Sequence, residues 1–260
     1  MLLKTSIDEL PDELINPVRH LDLLARSYLA AVSFIVQDTA RDVHYWDNHL
    51  LSYLVHDFIQ STLAIVTLGT EGMLNVAKRE VRFIVEASIK LCLVQQKDYT
   101  SKIAEKLKRF DRELASQRIS IKNNLTLTLL PEDLRDSFGD EVGRVYGLTS
   151  SYVHLTPSQI VERIMAVDAG RIGGKENTQD FEALISLVER GLAVSLVLLF
   201  HSVPEYVAGD WLVESDGTTT AWVFVESRFI AGIDSHFDYK HERQDKLDAV
   251  RVTRSERSRF

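Results

Sequence analysis

The stretch TEGMLNVAKREVRFIVEASIKLCLVQQK, residues 70–97, decides how the rest of the chain is read. It has no proline, and its one glycine, Gly72, stands near the start. Met73, Leu74, Val76, Val81, Phe83, Ile84, Val85, Ile89, Leu91, Leu93 and Val94 fall on every side of a helical wheel. A helix apolar all round belongs at the centre of a larger protein, so a buried central helix is expected over about 71–97. Arg79, Arg82 and Glu86 interrupt the pattern at spacings of three and four and therefore share one face. Charges on a buried element need partners. A second unusual stretch, YGLTSSYVH at residues 146–154, is the candidate source.

Working outward, Gly69 and Gly72 punctuate the entry to this helix, and an apolar helix over about 42–68 precedes it. So short a connection makes the two helices antiparallel neighbours. Asn16-Pro17 reads as an N-cap and first helical residue. The helix it opens, to about residue 40, turns Leu21, Leu24, Leu29 and Val32 inward. Residues 1–15 form a lead-in. After Thr100 a charged amphipathic helix runs to about residue 118. Lys102, Lys106, Lys108, Arg109, Arg112, Arg118 and Lys122 outnumber Glu105, Asp111 and Glu113 there. Such a run is a solvated face laced with ion pairs, with a phosphate-facing stripe as the alternative. The alternating LTLTLL, 125–130, suggests extended chain. Pro131 and two acids then open a helix to about 154. Thr156-Pro157-Ser158-Gln159 is a capping-box pattern for a helix to about 169. RIGGKENTQ, 171–179, is a loop by composition, and a long apolar helix covers about 180–202.

Together these elements predict an all-α fold, a bundle of six or seven helices over 16–203. Over 204–233 the pattern changes, and WLVE, SDGT and TTAWVFV read as a β-hairpin about Asp216-Gly217. Residues 234–260 are strongly charged and nearly without aliphatics, as a flexible tail or short surface helix would be.

The 260 residues are 45% hydrophobic and 26% charged, ordinary for a soluble globular protein. One cysteine, Cys92, excludes an internal disulfide framework and fits a reducing compartment. The opening MLLKTSIDELPDEL turns acidic too soon for a secretory signal. Two apolar stretches, 50–69 and 184–200, are interrupted by His56, Asp57 and Gln60 and by Glu189 and Arg190, so no membrane span is expected. The expected location is cytoplasmic. A net charge of −8 argues against broad nonspecific nucleic-acid binding.

The candidate chemistry centres on the 131–154 helix. Gly139, Gly143, Gly147 and Ser151 recur every four residues. Glycine inside a helix costs about 1 kcal/mol relative to alanine, so close approach of another backbone is expected along this stripe. Beside it lie Tyr146, Ser150 and His154. In a catalytic reading His154 is a general acid or base, oriented by Ser150, Tyr146 or Glu86, while Arg79 and Arg82 hold an anion. In a structural reading the same residues form a buried polar network that docks two helices, and His154 caps a helix C-terminus. No cofactor or metal is expected. His49, Tyr53, His56 and Gln60 share a face without metal-ligand spacing, and His236, Asp238 and His241 offer only adventitious binding. Cys92 reads as a buried inert thiol.

The REVRFIVEA helix, paired with the later YGLTSSYVH segment, resembles an uncharacterised bacterial family of helical domains linked to HEPN-like bundles, over about 45–200. Many HEPN domains are metal-independent ribonucleases of toxin–antitoxin and phage-defence systems, and others are noncatalytic. The resemblance therefore implies a noncatalytic interaction component of such a system, as a homodimer or with an operon-encoded partner. Its alternative is a ribonuclease-type toxin acting on RNA through His154. The HEPN catalytic signature places an arginine four to six residues before the histidine. Here Gly147, Leu148 and Thr149 stand where that arginine belongs, and Arg144 is the nearest upstream arginine. Only His154 carries over, and Arg82 or Arg79 would have to supply the cation.

Overall fold

The computed structural model describes residues 10–115, 125–153, 156–171 and 178–260. His154 lies outside the described residues, as do residues 1–9, Arg118 and Lys122 of the basic run, and most of the 171–179 loop. The protein is all-α. Its helices are α1 (Asp12–Thr39), α2 (Leu51–Thr70), α3 (Leu74–Lys97), α4 (Ile103–Ala115) and α5 (Glu132–Val153). They continue with α6 (Pro157–Asp168), α7 (Thr178–Phe200), α8 (Glu205–Leu212), α9 (Arg228–His236) and α10 (Leu247–Arg257).

The centre is a pair of helices, α3 against α7, flanked by α1, α2 and α5. From Ile84 to Gln95, α3 is buried at every residue except Glu86, as a helix apolar all round demands. Its first half keeps one strip in solvent, with Val76 and Phe83 37% and 43% exposed. α7 is buried without a break from Gly191 to Phe200. The close approach comes at Gly191, where a Cβ would stand 2.5 Å from Val81 Cγ1. Three hydroxyls bridge the core helices. Ser195 Oγ lies 2.7 Å from both Tyr28 Oη and Ser88 Oγ, joining α7 to α1 and α3. A buried hydroxyl needs such a partner, and the chain satisfies all three.

The α2–α3 hairpin turns on Gly72, whose φ of +76° is open to glycine at little cost. Gly72 N–H donates to Gly69 O and Met73 N–H to Leu68 O, the two bonds that close a helix end on a left-handed residue. α1 begins at Asp12, ahead of the expected start, so Pro17 lies within the helix. Leu14 is buried and anchors that extra turn, while Glu13, whose carbonyl loses its donor at Pro17, is exposed. The capping box on α6 forms as expected: Gln159 N–H donates to Thr156 Oγ1, and Gln159 Oε1 accepts from Thr156 N–H. The LTLTLL stretch takes no regular structure, although Leu127, Leu129 and Leu130 are buried.

By length and composition α2 and α7 could each cross a membrane, but 78% of the apolar window of α7 is buried within the fold. α2, at 28%, turns His56, Asp57 and Gln60 to the surface.

The C-terminal third departs from expectation. No β-hairpin forms among the described residues. WLVE includes the end of α8, and the chain then makes one tight turn with a single bridge between Val213 and Thr219. The apolar run after the turn is drawn into the core instead of alternating across a ladder. Trp222 Nε1 donates to Ser27 O of α1, and Phe224 and Val225 are buried. Gly217, with φ of +81°, is pressed against Glu242 O, where a Cβ would stand at 1.9 Å. Residues 234–260, expected as a charged flexible tail or surface helix, form short 3-10 turns and α10. They close around a buried ion-pair cluster. Arg243 is fully buried against Asp234, and Arg254 binds Asp234 and Asp238 at 2.7 Å each.

Two histidines are buried and neutral. His49 Nε2 donates to Ser202 O, and its Nδ1 accepts Leu51 N–H, so it caps α2. His201 Nδ1 donates to Val197 O, and its Nε2 accepts Leu129 N–H. Desolvation pushes His49 down to about 3 and His201 to about 4. A depressed folded pKa gives stability that is complete above about pH 6.5, the unfolded value. It is lost as pH falls, because the unfolded chain takes up protons that the folded chain refuses. Stability should drop by roughly 1.4 kcal/mol per pH unit per histidine below about pH 6.5. Urea denaturation at pH 7 and pH 5 checks this. His49→Asn keeps a cap acceptor without the titration and should show a shallower loss.

Candidate functional site

The charged face of α3 meets α5. Lys78, Arg82, Glu86 and Lys90 follow one another at i, i+4 spacing and so form one column. The Arg82 guanidinium lies over the Tyr146 ring, 3.1 Å from its centroid, and Arg82 Nη2 is 3.1 Å from Glu86 Oε2. Glu86 also pairs with Lys90. One carboxylate thus serves two largely buried cations while remaining 32% exposed itself. Lys78 Nζ sits 4.4 Å from the Tyr152 ring centroid and donates to Tyr152 Oη at 3.2 Å. Arg79 Nε donates to the Tyr152 carbonyl at 2.6 Å. That bond satisfies an end carbonyl of α5 with a cation, which suits the negative end of a helix.

The electrostatics follow from burial. Desolvation lowers the pKa of Arg82, with Tyr146 and Glu86 acting to raise it. The guanidinium stays charged, because an arginine starts above 12. Stacking leaves its Nε and Nη1 without an in-plane acceptor, and the ring face of Tyr146 takes that place. Desolvation also raises the Tyr146 phenol, partly offset by Arg82. Cys92 is buried, and its thiol is pushed up by desolvation, away from nucleophilic use.

Arg82, Glu86 and Tyr146 are therefore brought together, while Arg79 meets α5 at Tyr152. Ser150 is not part of the contact, since its hydroxyl turns back to the Tyr146 carbonyl at 2.6 Å. His154 lies outside the described residues. The glycine stripe needs correction. Gly139 is buried, but Gly143 and Gly147 are exposed and a Cβ at either would meet nothing within 4 Å, so no other backbone approaches at those two positions. The tight approach belongs to Gly191 on α7, where packing against Val81, Val85 and Val145 leaves no room for a side chain.

Sequence reasoning missed Lys78 and Tyr152. Lys78 was legible, because it stands four residues before Arg82 on the same face. It also missed a second ion-pair site, where Glu141 of α5 binds Arg190 Nε of α7 at 2.6 Å and Arg144 at 3.2 Å. Arg190 was visible, with Glu189, as an interruption of the apolar helix, but nothing local pairs it with Glu141. Lys106, expected on a solvated face, is fully buried. It donates to Asn48 O and Tyr99 O, with desolvation lowering its pKa to about 8. Among the described residues no group of three or more histidine, cysteine or acidic side chains is placed to hold a metal ion. No family model, curated protein or solved structure matches the chain.

As an arrangement this is a clamp between two helices. Glu86→Ala would leave Lys90 and Arg82 without their carboxylate and should destabilise by about 2 to 4 kcal/mol, the lower end reflecting the part-exposed carboxylate. A thermal melt shifted by less than about 2 °C would reject Glu86 as the charge partner that holds Arg82 against Tyr146. Gly143→Ala should stabilise by about 0.5 to 1 kcal/mol. Gly191→Ala should destabilise by about 1 to 3 kcal/mol through overpacking. Opposite signs in paired denaturation curves are the expected outcome.

Proposed function

We propose that this protein is a noncatalytic helical interaction module that assembles with a second copy of itself through α6. The observation that carries the proposal is the exposure of that helix. Ile160, Val161, Ile164, Met165 and Val167 are 47 to 63% exposed along one broad side. A helix of 12 residues is marginal in water unless an apolar face is covered. The polar side carries Glu162 and Arg163, of opposite sign, and Asp168 ends the helix on the apolar side. A nucleic acid or an anionic membrane would call for a basic face. A two-fold axis across the apolar face of α6 would instead set Ile164 and Met165 of one copy against the same residues of the other. Self-complementary surfaces of this kind suit isologous dimers.

The wider setting, a cytoplasmic component of a bacterial defence or toxin–antitoxin operon, rests on the HEPN-like resemblance alone. The ribonuclease reading through His154 has less support. It needs a cation for RNA, and Arg79 and Arg82 are both engaged within the protein.

Analytical ultracentrifugation tests the module at micromolar concentration. The wild type should sediment as a dimer, and Ile164→Asp with Met165→Asp as a folded monomer. A monomeric wild type, or a double variant that still dimerises, would reject the proposal. Expression of the wild type and His154→Ala should leave cellular RNA equally intact. RNA cleavage by the wild type alone would restore the catalytic alternative.

A further inference from the structure

A cavity of about 410 Å³ opens where α5, α7 and the start of α9 meet the last residues of the chain. Its walls bring four arginines together, Arg144, Arg190, Arg228 and Arg259, in a protein whose net charge is −8. The lining carboxylate is Glu141, which binds Arg190 and Arg144. Glu226 stands 3.6 Å from Arg259, so four positive charges meet two negative. Four clustered cations exceed the two carboxylates that pair with them, so an anion is the natural counterpart.

The polar groups at the cavity also lack partners. Ser227 is the N-cap residue of α9, yet its side chain makes no capping bond. It is 1% exposed, lines the cavity, and its Oγ has no hydrogen-bond partner. Arg190 donates through Nε to Glu141, but its buried Nη2 has no acceptor. Buried polar atoms left in this state are costly and call for a ligand. The nine-residue α9 presents its N-terminal end here, favourable to negative charge. Arg228 N–H already donates to Phe260 O at 2.6 Å, which fixes the terminal segment along the wall. Ala193, Val194 and Phe229 complete the lining and give the cavity an apolar side.

We propose that this cavity binds a small phosphate-bearing molecule, its phosphoryl oxygens held by the Arg190 and Arg228 guanidiniums and the Ser227 hydroxyl, and its carbon skeleton resting on Val194 and Phe229. Guanidinium suits phosphate because its planar fork matches two oxygens at once. A cavity of this volume falls within the range of small-molecule sites. The site is separate from the α6 surface and stands independently of self-association.

Isothermal titration with pyrophosphate and with phenyl phosphate tests the assignment, using the full chain. Both should bind, with phenyl phosphate the tighter of the two. Arg228→Gln, whose guanidinium lies over the neighbouring Phe229 ring, should weaken both at least about tenfold without moving the melting temperature. Ser227→Ala should weaken them less and leave the fold intact. Three results would each overturn the assignment: no heat with either probe at millimolar concentration, equal binding by Arg228→Gln, or binding of oligoribonucleotide but neither small phosphate.

Discussion

Burying α3 obliges the charged groups that go in with it to find partners inside the protein. Lys78, Arg82 and Lys90 are all largely buried, and each ends on an aromatic ring, a carboxylate or both. The alternative, an unpaired charge away from water, is far more costly than the side-chain order these contacts require. The charges therefore act as orientation devices. They fix which face of α5 meets α3, while the apolar faces of α3 and α7 supply most of the cohesion. Hydrophobic packing alone tolerates small rotations of one helix about another. A guanidinium stacked on a ring tolerates fewer.

The same requirement recurs across the molecule. Tyr28, Ser88 and Ser195 solve it with hydroxyls, His49 and His201 by remaining neutral, and Lys106 with two carbonyls. At the arginine cavity Ser227 Oγ and Arg190 Nη2 have no partner within the protein. Arg82 Nε and Nη1 in the clamp also lack an acceptor, but there the Tyr146 ring covers the guanidinium. At the cavity the unpartnered atoms lie beside open space instead.

Much of this architecture was legible in the sequence, because its signals are local. Periodicity marked the central helix, Gly72 marked the hairpin turn, and Thr156 with Gln159 marked a helix start. The all-α class followed from these. What failed depended on the neighbours of a residue rather than on its own stretch. The α5 glycines looked like a seam, but whether a glycine faces a backbone or open water is a tertiary fact. The alternating apolar residues near Trp222 suggested a strand until α1 offered them a better burial site. The charged C-terminal residues read as solvated, since nothing nearby shows that Asp234 and Arg243 are both enclosed. In the α3–α5 clamp, Arg79, Arg82, Glu86 and Tyr146 could be named from spacing, and Tyr152 could not.

The ion-pair cluster at the C-terminal end also bears on where the chain tolerates a cut. Asp234 is enclosed with Arg243 and Arg254, and Arg254 lies on α10. A nick between residues 243 and 254 that released α10 would leave the enclosed Asp234 carboxylate with one of its two countercharges, and a buried charge short of a partner is costly. The helix is a fastener, and losing it would be felt at α9, where Asp234 sits.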